Sequence, residues 1–202
     1  LLSNAQRIFT EYEMHTLGIA KYFDDIFISS TCGVKKPDSR FFQLLIDKYN
    51  LDIIIMRPAR IYGPTMNFED SKATAQFIKN ILRGENIVLK SNGEQIFSYA
   101  YVGDVVTATL FLLCKGESGE AYNVADKNST IKLKKLAEIA ANIGNSKVIY
   151  DLPNKTELKG FSNSPGMVLD CTKLEKLGWR AYTNINEGIK KTVDILSNIK
   201  KV

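Results

Sequence analysis

Two short stretches carry the residue types that handle phosphate. Leu1-Leu2-Ser3-Asn4 offers a hydroxyl beside an amide, and Gly33-Val34-Lys35-Lys36-Pro37-Asp38 offers a cation fixed next to a proline. Ser3, Asn4 and Lys36 are the candidates there; read structurally, they are a polar turn and a surface lysine. Other chemistries lack their residues. No Tyr is followed four positions on by Lys, and no Gly-x-x-Gly-x-x-Gly turn occurs to seat a dinucleotide pyrophosphate on a helix N-terminus. His15 stands alone, so a histidine metal site or a histidine-containing triad is disfavoured. Cys32, Cys114 and Cys171 are odd in number and widely spaced, which suits a reducing compartment, the cytoplasm, and gives no metal-ligand pattern.

Charge points the same way. The chain of 202 residues carries +5 in total. Residues 1–52 hold six Lys/Arg against seven Asp/Glu, which leaves 21 against 15 for residues 53–202. That excess is either a solvated lysine-rich surface or a groove for an anion such as a diphosphate. Nucleic acid is disfavoured because the lysines are scattered and no aromatic–basic strip accompanies them. A hydrophobic share of 45% supports a buried core. No apolar run approaches the roughly 20 residues of a membrane span, and no signal peptide is seen. The first residue is not Met, which fits a processed product or a fragment.

These residues need elements to hold them. Leu1–Ala5 reads as a strand, Arg7–Leu17 as a helix and Ile26–Ser29 as a short strand. Asp38 or Ser39 should cap a helix to Tyr49 with Phe42, Leu45, Ile46 and Tyr49 on one face. Ile53–Met56 is a continuous apolar run that suits a strand covered on both faces. Asp70 or Ser71 should start a helix to Leu82, with Phe77, Ile78, Ile81 and Leu82 inward and Gly84 as its stop. Ile87–Lys90 and Ile96–Val102 flank Asn92-Gly93, a hairpin signal. Asp104 should cap a helix to Lys115, ended by Gly116. Ala121–Ala125 reads as a strand, Thr130–Ile143 as a helix, Val148–Asp151 as a strand and Ile185–Ile199 as the last helix. Alternating strands and helices predict an α/β fold with a parallel sheet.

The first stretch resembles the haloacid dehalogenase-like phosphohydrolases over about 50 residues. Leu1-Leu2-Ser3-Asn4 matches their second motif, Gly33–Asp38 their third with Lys36 in the lysine's place, and Tyr22-Phe23-Asp24-Asp25-Ile26 lies between as in that family. The resemblance implies a phosphoryl-holding hydroxyl at Ser3 beside Asn4, and charge neutralisation by Lys36. The reaction needs in addition an Asp nucleophile, an Asp acid/base and Mg²⁺ held by carboxylates, so Mg²⁺ is expected only if that half were complete.

From Ile53 onward the text changes. Arg57-Pro58-Ala59-Arg60-Ile61-Tyr62-Gly63-Pro64 resembles the post-catalytic strand and turn of the extended short-chain dehydrogenase/reductases, more narrowly the NAD-dependent nucleotide-sugar epimerases, dehydratases and decarboxylases. Gly84-Glu85-Asn86-Ile87, Asn92-Gly93-Glu94-Gln95, Tyr101-Val102-x-Asp104-Val105-Val106, Ala121-Tyr122-Asn123-Val124 and Leu177-Gly178-Trp179 follow in the family's order. The resemblance implies an incomplete Rossmann-like parallel sheet with a small C-terminal α/β substrate lobe, and a nucleotide-diphosphate sugar as ligand. NAD would be the cofactor, its binding opposed by the absent Gly-rich turn. Arg60, Tyr62, Lys72, Phe97 and Asn123 are the implied substrate contacts, with Pro58 and Tyr62 toward the cofactor. Two positions depart from the family pattern: Arg60 stands where many relatives carry Asn, and Phe97 where many place an Arg on the diphosphate. Trp179 is expected to pack the core.

The expected organisation is therefore a hydrolase-like fragment at residues 1–52 and the substrate portion of an epimerase/dehydratase at residues 53–202, a chimeric or truncated chain joined without a Gly/Ser/Pro spacer. Leu1–Ala5 and Ile26–Ser29 could patch the edge of the second part's sheet. Otherwise an uncovered apolar strand invites pairing through its edge, or homo-oligomerisation. The alternatives are a phosphohydrolase fragment and a noncatalytic fusion product.

Overall fold

The computed structural model describes residues 2–36, 38–152 and 166–199, and divides into two compact units, Leu1–Ile53 and Ile54–Val202.

The first unit begins with strand β1 (Leu2–Ser3), helix α1 (Arg7–Thr16), a 3₁₀ turn at Ala20–Tyr22, strand β2 (Phe27–Ile28) and helix α2 (Ser29–Cys32), and closes with helix α3 (Ser39–Tyr49). β1 and β2 run parallel, with Leu2 opposite Phe27 and Ser3 opposite Ile28. They form a two-stranded sheet. Asp38 caps α3 as expected: its Oδ1 accepts the Arg40 backbone N–H at 2.9 Å. The buried face of α3 is displaced from the expected one. Phe41 is fully buried and Tyr49 is exposed, its hydroxyl donating to Asp25.

The second unit begins with strands β3 (Ile55–Pro58) and β4 (Arg60–Tyr62) and helix α4 (Ala73–Leu82). Strands β5 (Ile87–Leu89) and β6 (Ile96–Tyr101), helix α5 (Val102–Lys115), and strands β7 (Ala121–Val124) and β8 (Asp126–Lys132) follow. Helix α6 (Leu133–Ile143), strands β9 (Val148–Tyr150) and β10 (Gly166–Met167), and helices α7 (Thr172–Leu177) and α8 (Ile185–Ile199) complete it. β6 is the central strand. β4 lies parallel along its C-terminal half, β10 parallel along its N-terminal half, and β8 antiparallel to it. β3 pairs with β7 and β5 with β9, both parallel.

Three expectations are corrected here. β5 and β6 are not a hairpin, because β5 takes β9 as its partner. Asn92-Gly93 instead prepares a helix: the carbonyls of Gly93 and Gln95 accept the Lys134 and Leu133 N–H groups that open α6, each at 2.9 Å. Gly93 has φ +67° and a Cβ there would stand 2.8 Å from the Lys134 nitrogen, so only glycine fits the turn. The stretch from Thr130 to Lys132 is strand, not helix, and α6 starts at Leu133. Asp104 is not a cap but lies in the first turn of α5 with its carboxylate turned inward.

Two cores hold the unit. The larger joins Phe77 and Ile78 of α4, Leu136 and Ala140 of α6, and the α8 stripe Ile185, Ile189 and Leu196 against β6. That stripe recurs at helical spacing, which is why α8 matches its expected bounds. The smaller packs Ala108 and Leu112 of α5 with Tyr122, Val124, Leu174 and Trp179. Trp179 is buried as expected, and its indole Nε1–H donates to Thr107 Oγ1 at 3.2 Å.

Candidate functional site

The register of β4 on β6 assembles most of the sequence candidates. Arg60 lies opposite Tyr99 and Tyr62 opposite Tyr101. Alternation then places Arg60, Tyr62, Phe97, Tyr99 and Tyr101 on one face of the sheet. On that face the Arg60 guanidinium carbon sits 3.5 Å from the Phe97 ring centroid. At that distance the guanidinium and the ring make a cation–π contact. The two positions that depart from the family pattern therefore touch each other.

Tyr62 stands between Tyr99 and Tyr101, edge to face with each at centroid separations of 6.5 and 5.7 Å. Its ring is enclosed against Gly188 of α8, and its hydroxyl, like that of Tyr99, is buried without a hydrogen-bond partner among the described residues. Burial pushes the Tyr62 phenol far above its ordinary pKa, and the carboxylates of Asp104 and Asp126 push further in the same direction. Burial raises Tyr99 to about 12, against a smaller downward pull from Arg60. Both phenols are held protonated, the opposite of what a proton-abstracting tyrosine needs. Tyr62 thus packs the lobe and presents no open face. Pro58 offers no N–H and lies exposed at the end of β3.

Lys72 sits at the N-terminus of α4. Asp70 Oδ1 accepts its backbone N–H at 2.9 Å, and its ammonium lies 3.3 Å from Asp70 Oδ2 with the lysine side chain 71% exposed. The Lys72 N–H, more than its charge, holds the Asp70 carboxyl below its usual range. Asn123 is half-buried, and its amide donates to the Asp170 carbonyl at 2.8 Å, tying β7 to the segment before α7. That is the strand-end role the residue type allows without any ligand.

In the first unit Asn4 and Lys36 meet through the backbone. Asn4 Oδ1 accepts the Lys36 N–H at 2.7 Å, and Asn4 Nδ2–H donates to the Lys36 carbonyl at 3.0 Å. Ser30 Oγ of α2 accepts the Arg7 N–H at the start of α1 at 2.9 Å. Ser3 ends β1, next to Asn4. Among the described residues no three His, Cys, Asp or Glu side chains converge as a metal site would require.

Sequence reasoning missed two buried carboxylates. Asp104, 3% exposed, accepts the backbone N–H groups of Tyr182 at 3.2 Å and Thr183 at 3.0 Å, fixing the approach to α8. Asp126 accepts the Ser129 hydroxyl and the Asn128 N–H. The signal available for Asp104 was its place in the first turn of an otherwise apolar helix, where a carboxylate turned inward must find donors. No described helix is long and apolar enough to cross a membrane.

Residues 39–125 match the NAD dependent epimerase/dehydratase family, a match that begins inside the first unit. A trifunctional UDP-glucose 4,6-dehydratase/UDP-4-keto-6-deoxy-D-glucose 3,5-epimerase/UDP-4-keto-L-rhamnose-reductase of Arabidopsis thaliana is 33% identical over 150 residues, 72% of this chain and 21% of that protein. The dTDP-D-glucose 4,6-dehydratase of Mus musculus is 28% identical over 162 residues, 76% of this chain and 43% of the mouse protein. The UDP-glucose 4-epimerase of Thermotoga maritima, solved with UDP-glucose, superposes with a TM-score of 0.69 at 26% identity, covering 80% of this chain and 51% of that one. The chain spans about half or less of these relatives. It shares their α/β fold with parallel sheets, and residues 39–125 form an NAD-dependent epimerase/dehydratase family domain with sugar-nucleotide dehydratases and epimerases as homologues.

Proposed function

We propose that residues 53–202 bind a nucleotide-diphosphate sugar, as the substrate portion of an NAD-dependent epimerase/dehydratase, and that the chain alone does not oxidise it. The observation that carries this reading is the likeness of four fifths of the chain to half of an epimerase holding UDP-glucose. The redox step in such enzymes moves a hydride from the sugar to NAD⁺ while a tyrosine takes the hydroxyl proton. This sequence has no Tyr-x-x-x-Lys, and the two tyrosines on the candidate face are buried and held protonated. What the lobe keeps is cationic: Arg60 on Phe97 and Lys72 at a helix start.

Calorimetric titration of the full chain with UDP-glucose and dTDP-glucose tests the reading. Saturable binding to one of them is expected, weakened in Lys72→Ala. Failure of both sugars to bind would overturn it.

A second reading concerns residues 1–52 alone, and the paired hydrogen bonds between Asn4 and Lys36 favour it. They bring the two phosphate-like stretches side by side, as a haloacid dehalogenase-like fragment would require. Mg²⁺-dependent release of phosphate from p-nitrophenyl phosphate tests it. No release is expected, since the required aspartate pair is not among the matched motifs; release would favour the hydrolase.

A further inference from the structure

We infer that Arg60, held over the Phe97 ring, is the group that takes the diphosphate in this lobe, and that Phe97 is the positioning residue that presents it. The inference deepens the nucleotide-sugar reading and rests on it for the ligand's identity, but the anion preference rests on geometry alone.

Arg60 is half-buried, and no carboxylate pairs with it among the described residues. Most other partnered cations of the unit sit differently. Lys72 faces Asp70, Lys132 and Lys134 share Glu94, and Lys173 faces Glu120, all toward solvent. A half-desolvated cation without a counter-charge is costly, and it lowers that cost by attracting an anion. The aromatic face offsets part of the cost through its negative quadrupole. The guanidinium carries five N–H donors in a planar fork that matches two phosphate oxygens.

Phe97 suits a platform. It is 9% exposed and fixed in mid-sheet, its backbone opposite Ile131 of β8 on one side and Met167 of β10 on the other. A second observation marks the same place. Tyr99, cross-strand from Arg60, is fully buried and keeps a hydroxyl with no partner among the described residues. A buried polar atom without a partner calls for an explanation, and an absent polar ligand is one. The contact also explains why two departures from the family pattern occur together: with an aromatic at position 97, the cation arrives from the neighbouring strand at position 60.

The test uses the full 202-residue chain. The side-chain Nε–H resonance of Arg60, assigned by its loss in Arg60→Lys, is followed by NMR during titration with UDP-glucose, UDP, uridine and inorganic pyrophosphate. UDP-glucose, UDP and pyrophosphate should move it, and uridine should not. Arg60→Lys keeps the charge but loses the planar fork, and should weaken UDP roughly tenfold. Phe97→Leu should weaken it by roughly threefold to tenfold, and Phe97→Tyr should restore it. Thermal unfolding of each variant shows whether the fold is kept, and Phe97→Tyr serves as the check if Phe97→Leu fails to fold. Wild-type affinity in Arg60→Lys and Phe97→Leu, with UDP-glucose still bound, would overturn the inference and leave the nucleotide-sugar reading standing. Pyrophosphate moving Arg60 while UDP-glucose does not bind would do the reverse. An Arg60 resonance that responds to no phosphate compound would overturn the inference outright.

Discussion

A Cβ placed on Gly188 would lie 2.1 Å from the hydroxyl oxygen of Tyr62 and 2.8 Å from its ring carbons. Helix α8 therefore reaches β4 only because position 188 lacks a side chain. The approach closes the larger core over a phenol that has no hydrogen-bond partner among the described residues. Gly188→Ala should destabilise the chain by about 1–3 kcal/mol through overpacking. Tyr62→Phe removes an orphaned hydroxyl and should be neutral or stabilising by up to about 1 kcal/mol. It should also relieve part of the Gly188→Ala cost, because the nearest clash disappears. Chemical denaturation of the four members of this cycle measures the coupling; strict additivity would count against the contact.

Asp104 carries a different kind of restraint. Its two oxygens hold consecutive backbone N–H groups ahead of α8. Asp104→Ala should cost about 2–4 kcal/mol, since two buried donors lose their acceptor. Asp104→Asn keeps one acceptor and should recover part of that. Hydrogen exchange at Tyr182 and Thr183 reads the loss locally, and unchanged protection in Asp104→Ala would contradict the clamp.

Much of this architecture was legible because local rules and tertiary packing agreed. Asp38 precedes an amphipathic run and caps it; Ile185, Ile189 and Leu196 fall on one stripe and bury it. The failures come from distant partners. Asn92-Gly93 is a hairpin signal only if the flanking strands pair, and β5 instead finds β9 after a whole helix has intervened. Asp126–Lys132 is too polar to announce a strand, yet it lines β6, with a Ser98–Thr130 hydroxyl contact at 2.8 Å between the two strands. The candidate site was half-legible. Arg60 and Phe97 were each noticed as departures, but only the β4–β6 register shows that one rests on the other.

Glu94 gives a pH signature. Lys132 first, then Lys134, hold its carboxyl down at about 2 from an ordinary 4.5. A depressed folded-state value means the pairing stabilises the chain above the ordinary value and is lost as pH falls from 4.5 toward 2. The group is exposed, so the effect is small and screened by salt. Thermal melts in low salt should show Glu94→Gln slightly below wild type at pH 6, with the gap closing at pH 2 and shrinking in 1 M NaCl. A gap that widened on acidification would contradict the assignment.

Lys72 and Asn123 should separate binding from stability. Lys72 is exposed and already shares its charge with Asp70, so Lys72→Ala should weaken a UDP-sugar only roughly threefold, an effect that fades at high ionic strength. Asn123 is occupied with the Asp170 carbonyl, so Asn123→Ala should cost about 1 kcal/mol of stability and leave affinity unchanged. Paired calorimetry and denaturation of both variants checks the split; a large affinity loss in Asn123→Ala would place that residue in the site instead.

The central claim is a pocket for an activated sugar that lacks its own oxidising machinery. Its most direct test is saturation-transfer proton NMR of UDP-glucose or dTDP-glucose mixed with the purified chain and NAD⁺ over several hours. The account predicts transfer from protein to both the base and the hexose, with the sugar's anomeric signal unchanged at the end. Emergence of an epimerised or 4-keto sugar, with no other protein present, would contradict it.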